Sequence, residues 1–202
     1  MKKGKFITFE GCEGVGKSTQ LKLLCEYFEA NGIEGLFTRE PGGTEISERI
    51  RGIILDINHG EMYAETELLL YEAARYQHTR QVIIPAIESG KTVVCDRYID
   101  STTAYQAYAR GLDLSQVNWL NDFAMCGVSI DATVFLDAQP FANTSRTADD
   151  RLELAGADFH DKVYGGFKSL QKESRFIAVT TEEDKHVTHE KIVSELKKRG
   201  LI

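Results

Sequence analysis

Three glycines, a lysine and two hydroxyls crowd into GCEGVGKST, residues 11–19, directly after the apolar run Phe6-Ile7-Thr8-Phe9. The spacing Gly11-x-x-x-x-Gly16-Lys17-Ser18 suits a polyphosphate. Glycines let backbone N–H groups converge on phosphate oxygens, Lys17 reaches the terminal phosphates, and the Ser18 hydroxyl faces Mg2+. A tight glycine turn that merely caps a helix is the competing reading. The strand before the loop and the helix after it favour the phosphate site. The whole stretch, Gly11, Cys12, Glu13, Gly14, Val15, Gly16, Lys17, Ser18 and Thr19, is therefore read as binding a nucleoside triphosphate. Glu13 stands out as a carboxylate among groups arranged for an anion.

Two further blocks carry charge at strand ends. KTVVCDR (91–97) ends in Asp96-Arg97. A carboxylate at the carboxyl end of a core strand, beside the glycine loop, is placed to serve Mg2+ directly or through water, and Arg97 can bridge donor and acceptor phosphates. A surface ion pair at a strand end would look the same in isolation. In TREPGGT (38–44), Arg39 ends a strand, Pro41 fixes the chain, and Gly42-Gly43 allow a sharp turn. An ordinary strand-to-helix turn is the alternative there.

The elements that must hold these blocks alternate along the chain. Strands are expected at 5–10, 35–40, 91–97, 129–137 and 175–179. Helices are expected at 17–32 with Gly32 near the cap, 44–55 with Thr44 as N-cap, and 65–89 with an interruption near Pro85. Others are expected at 101–108, 114–126, 158–173 and 187–199. Five strand–helix alternations imply a parallel sheet wrapped on both faces, with ligands beyond the carboxyl ends of its strands. A single domain over 1–202 follows from the length of 202 residues and the 42% hydrophobic content.

Bulk properties exclude several classes. A net charge of −7 argues against a broad basic face for nucleic acid, so an anionic ligand must be small and met by local cations. No segment approaches the ~20 apolar residues of a membrane helix, and MKKGKFITFEG lacks a signal-peptide core. Cys12, Cys25, Cys95 and Cys126 stand far apart, which reads as reduced, mostly buried thiols in a cytosolic protein. The five histidines show no metal spacing. No Asn-Lys-x-Asp guanine reader occurs, and a motor ATPase would be longer. A kinase for a small acceptor remains, and it needs cations to clamp a second anion.

FEGCEGVGKSTQ (9–20), TREPGGT (38–44), LLLYEAARYQ (68–77) and DRYIDSTTAYQ (96–106) together resemble the thymidylate kinase family, in order and spacing, over nearly the whole chain. The resemblance implies a three-layer α/β/α P-loop kinase fold with a five-stranded parallel sheet and a short mobile lid at about 140–156. It also implies ATP and dTMP as substrates, Mg2+ with the ATP, a cytoplasmic location and a homodimer packed through helices. It assigns Glu13 to the sugar 3'-hydroxyl and Arg39 to the dTMP phosphate. Pro41 would lie beside the thymine methyl, with a cis Glu40–Pro41 bond compatible. Tyr71 would stack on thymine and Arg75 would hold a base carbonyl or the acceptor. Ser101, Thr102, Tyr105 and Gln106 would contact thymine or crowd the 2' position. Ser18 and Asp96 would serve the metal.

The lid departs from the family pattern. With glycine at the third variable loop position, as Gly14 is here, the catalytic arginine usually comes from the lid. Arg146 and Arg151 keep the expected five-residue spacing in AQPFANTSRTADDRLE (138–153), but the additional upstream arginines are absent. Arg146 is the first candidate for the transition-state cation and Arg151 the second, acting with Lys17 and Arg97. Another small-substrate kinase and a non-catalytic nucleotide-binding module are the competing functions. The long apolar-rich helices at 65–89 and 114–126 are candidates for the dimer seam, and Trp119 is expected in the core or an interface.

Overall fold

The computed structural model describes residues 3–139 and 151–202. The expected catalytic candidate Arg146, and most of the expected lid, lie outside the described residues. Five strands form one parallel sheet in the order β2-β3-β1-β4-β5. They are β1 (Phe6–Glu10), β2 (Gly35–Arg39), β3 (Thr92–Asp96), β4 (Ala132–Asp137) and β5 (Phe176–Thr180). β1, β3 and the first five residues of β4 are buried almost throughout, as an inner parallel sheet covered on both faces requires. The register pairs Phe9 with Asp96 and Arg39 with Asp96, so the charged ends of three strands lie along one rim.

Eight α-helices cover the described sheet: α1 (Lys17–Ala30), α2 (Glu45–Leu55), α3 (Ala64–His78), α4 (Ile84–Glu88), α5 (Ile99–Thr102), α6 (Leu114–Met125), α7 (Ala157–Leu170) and α8 (Lys185–Lys198). The Thr44 side chain caps α2 by accepting from the Ser47 N–H at 3.1 Å, as expected. α1 ends two residues earlier than its sequence pattern suggests. Asn31 caps it, and Gly32, at φ 65°, brings the Ile33 N–H back to the Phe28 carbonyl at 2.9 Å. The main core packs Ile7, Phe9, Leu24, Val134, Phe135 and Phe167 across both layers.

The helix over 65–89 is interrupted near Pro85 as expected, by a π-helical turn, Thr79–Ile83. Two sequence expectations shift. The helix over 101–108 starts at Ile99 and passes into a second π-helical segment, Thr103–Ala109. β4 begins at Ala132; just before it, the Asp131 N–H donates to the Phe6 carbonyl (2.8 Å) while its carboxylate accepts from the Phe6 N–H (2.8 Å) and the Lys5 ammonium (2.9 Å). All four cysteines are free; Cys12 and Cys95 are buried and the other two half-buried. Trp119 is 65% exposed, which rules out a core role.

Candidate active site

The loop after β1 is built on glycine geometry. A Cβ at Gly11 would lie 3.1 Å from the Leu136 carbonyl oxygen, and Gly16, at φ 93°, turns the chain into α1 in a conformation that L side chains avoid. Cys12 and Val15 put their side chains into the core, so they offer only backbone to a ligand. The Lys17 ammonium donates to the carbonyls of Gly11 (3.0 Å) and Cys12 (2.8 Å). Burial, reinforced by the nearby Arg97 charge and opposed by Glu13 and Asp96, brings it down to about 8. A polyphosphate in the loop would oppose that shift.

Arg97 is the organising cation. Its backbone sits at φ 66°, which is costly for a non-glycine residue and frequent at functional sites. The Arg97 N–H donates to the Phe9 carbonyl at 2.9 Å. Its guanidinium donates to the Gly11 carbonyl (3.2 Å), to Ser101 Oγ (3.0 Å) and to Glu13, and lies 5.3 Å from the centre of the Tyr105 ring. The Arg97 charge, against the opposing effect of burial, holds the Glu13 carboxyl at about 2. Behind it, Glu10 ends β1 as a fully buried carboxylate that accepts from the Tyr98 N–H (2.7 Å) and the Ser101 hydroxyl (2.6 Å). Burial and the neighbouring Asp100 push Glu10 up to about 8, although Arg97 pulls the other way.

One cleft carries Lys17, Ser18, Thr19, Arg39, Asp96 and Arg97 on its walls. Asp96 Oδ1 is buried with no protein hydrogen-bond partner, and Ser18 opens α1 on the same cleft. An orphaned carboxylate oxygen and a hydroxyl on one cleft beside a phosphate loop fit an oxygen-ligated Mg2+. Arg39 is half-exposed and paired with Glu48 at 2.9 Å.

The cleft continues into a second pocket that shares Glu13, Pro41, Tyr71 and Arg97 with it. Pro41, Tyr71, Arg75, Ser101, Thr102, Tyr105 and Gln106 line it, so the expected acceptor residues other than Arg39 do converge. The Glu40–Pro41 bond is cis. Arg75 is 2% exposed. Its guanidinium donates to Glu40 (2.8 Å), Glu72, Asn121 (2.9 Å) and Thr102 (2.8 Å). Among the described residues, those bonds use four of its five N–H groups, the fifth being on Nη2. Glu40 is shared: its other oxygen meets His78 Nδ1 at 3.0 Å, so that histidine is a buried support of the site.

Two placements depart from the sequence reading. Arg151, the second lid candidate, is buried with its guanidinium already engaged: Nε donates to the Ile54 carbonyl (3.1 Å), and Nη2 is bonded to Glu67. Arg51 went unremarked in the sequence, yet it lines the phosphate cleft and donates to the Pro41 carbonyl at 3.0 Å. The available signal was its position: Ser47, Arg51 and Ile54 follow i, i+4, i+7 on α2, which puts a cation in the buried stripe.

A phosphate loop on the middle strand, facing a cation-lined acceptor pocket, defines a P-loop kinase. The thymidylate kinase family model matches residues 9–192. A thymidylate kinase of Clostridium novyi (strain NT) is 48% identical over 179 residues, covering 85% of this chain and 87% of that one. One from Thermoanaerobacter sp. (strain X514) is 42% identical over 201 residues, covering 97% and 98%. The crystal structure of thymidylate kinase from Ehrlichia chaffeensis superposes with a TM-score of 0.79 at 32% identity, covering 96% of this chain and 99% of that one. This chain belongs to the thymidylate kinase family.

Proposed function

We propose that the protein transfers the γ-phosphoryl group of ATP to dTMP, giving ADP and dTDP, in the supply of dTTP. The observation that carries this reading is the juxtaposition of two pockets through Arg97: a phosphate cleft on one side and a pocket lined by Tyr71 and Arg75 on the other. The acceptor phosphate oxygen is already ionised at pH 7, so no general base is required. Bringing two polyanions together is the difficulty, and positioning with charge neutralisation meets it. Lys17 and the loop amides hold the donor, Arg39 and Arg51 hold the dTMP phosphate, and Arg97 bridges the two. Glu13, fixed by Arg97 and within 3.4 Å of the Tyr105 hydroxyl, receives the sugar 3'-hydroxyl. Tyr71 stacks on thymine, and the spare Arg75 N–H meets a base carbonyl. Ser18 and Asp96 would hold Mg2+, which when bound neutralises phosphate charge. Arg146 supplies the remaining cation.

The same reading includes a homodimer. Tyr76 of α3 stacks on Phe123 of α6 (5.2 Å between centroids), and Phe123 stacks on Trp119 (5.9 Å), all three exposed to 40% or more. An apolar aromatic strip of this kind on paired helices suits a self-complementary seam. Trp119→Glu should give a monomer by light scattering; an unchanged dimer would move the seam elsewhere. Four free thiols suit a reducing cytoplasm, and among the described residues no helix is long and apolar enough to cross a membrane. The deciding experiment is ADP release with dTMP, dUMP, dCMP, dGMP, dAMP and thymidine as acceptors. dTMP should be fastest; a faster alternative, or release with none, would refute the assignment.

A further inference from the structure

Glu67 is a carboxylate with 0% exposure in the first turn of α3, outside every expected site block. Ionised buried carboxylates need full compensation, and this one has it. Oε1 accepts from Gln106 Nε2 (2.8 Å) and Arg110 Nε (3.2 Å). Oε2 accepts from Arg110 Nη2 (3.1 Å) and from Arg151. Burial alone would raise the Glu67 carboxyl, but the hydrogen bonds from Arg110, Gln106 and Arg151 bring it below its ordinary value. Both arginine donors have a second anchor. The Arg110 guanidinium lies 4.5 Å from the Phe159 ring centre, and the Arg151 N–H reaches the Leu55 carbonyl at 3.2 Å. Gln106 and Leu152, the residue after Arg151, both line the base pocket.

We propose that Glu67 is a positioning residue for the acceptor pocket. It pins Gln106 on one side and, through Arg151, Leu152 on the other, so that one buried charge sets two walls of the space for the base. Arg151 is then an anchor of this cluster and does not reach the transferring phosphoryl group. The cluster's role presupposes the dTMP reading above.

Glu67→Gln keeps the shape but removes the charge that holds two guanidinium groups. Steady-state kinetics should show KM for dTMP rising by about tenfold, with KM for ATP within about twofold and kcat within about threefold of wild type. Arg151→Met, at the rim of the cluster, should give the same split, and the double variant should be no worse than the worse single variant. Should Glu67→Gln fail to fold, Arg151→Met carries the test. A loss of kcat by about a hundredfold or more in Arg151→Met with unchanged KM for dTMP would make Arg151 a transition-state cation and overturn the proposal. Unchanged dTMP kinetics in either folded variant would overturn it equally. Wild-type protein inactive towards dTMP would instead refute the function assigned above.

Discussion

Arg97 combines two separable costs and benefits, and substituting it by glycine and by alanine resolves them. Its backbone, at φ 66°, lies in the left-handed region, where a residue with a Cβ is less stable than glycine by about 1–2 kcal/mol. Its side chain in the active complex is read as making two charge-assisted bonds to phosphate oxygens, each worth about 1.5–3 kcal/mol. If both are made mainly in the transition state, their loss is about 3–6 kcal/mol, or roughly 10²–10⁴ in rate. Arg97→Ala and Arg97→Gly should therefore lose kcat/KM for dTMP to the same extent. Glycine, however, should melt higher than alanine by about 2–8 °C at 2–4 °C per kcal/mol for a domain of this size. Coupled ADP release measures the first quantity and thermal unfolding the second. Activity within tenfold of wild type in either variant would refute the phosphate-bridging role. Equal melting temperatures would refute the stored backbone cost.

Other perturbations test neighbouring groups. Glu10 is raised from 4.5 to about 8 in the fold, so its contribution to stability is complete below pH 4.5 and is lost as pH rises through about 8. Wild type should thus lose more thermal stability between pH 5 and 8 than Glu10→Gln does; parallel profiles would contradict the burial of an ionising carboxyl there. Arg75→Met leaves the buried carboxylates of Glu40 and Glu72 without their cation, which should cost about 3–5 kcal/mol and lower the melting temperature by roughly 6–20 °C. A near-neutral melting temperature would show that those carboxyls simply take up protons. Arg146→Ala should lower kcat much more than ATP affinity measured by calorimetry; unchanged turnover would remove it from the chemistry.

How much could be read without coordinates depended on the range over which each feature is determined. The glycine loop, the strand-terminal Asp96-Arg97 and the cis-prolyl turn after Arg39 are local devices. Their backbone conformations demand particular residues at fixed spacing, so Lys17, Asp96, Arg97 and Pro41 were legible at the rim of a parallel sheet. Tyr71, Arg75, Ser101 and Tyr105 were legible through the resemblance that LLLYEAARYQ and DRYIDSTTAYQ carry, and the i, i+4 spacing of Tyr71 and Arg75 also puts that pair on one helical face. The π-helical segments were not, since one extra residue in a turn barely alters a hydrophobic pattern. Nor were the partners of the charged groups. Arg151 looked available for catalysis because nothing near it in the chain suggests otherwise, and the carboxylate that claims it is 84 residues away. Arg51 and Glu40 follow the same rule. Sequence by itself determined the fold class, the phosphate loop and the chemistry of the acceptor pocket. Tertiary structure alone decided which cations face that pocket and which neutralise buried carboxylates, because desolvation couples charges according to distance in space and not along the chain.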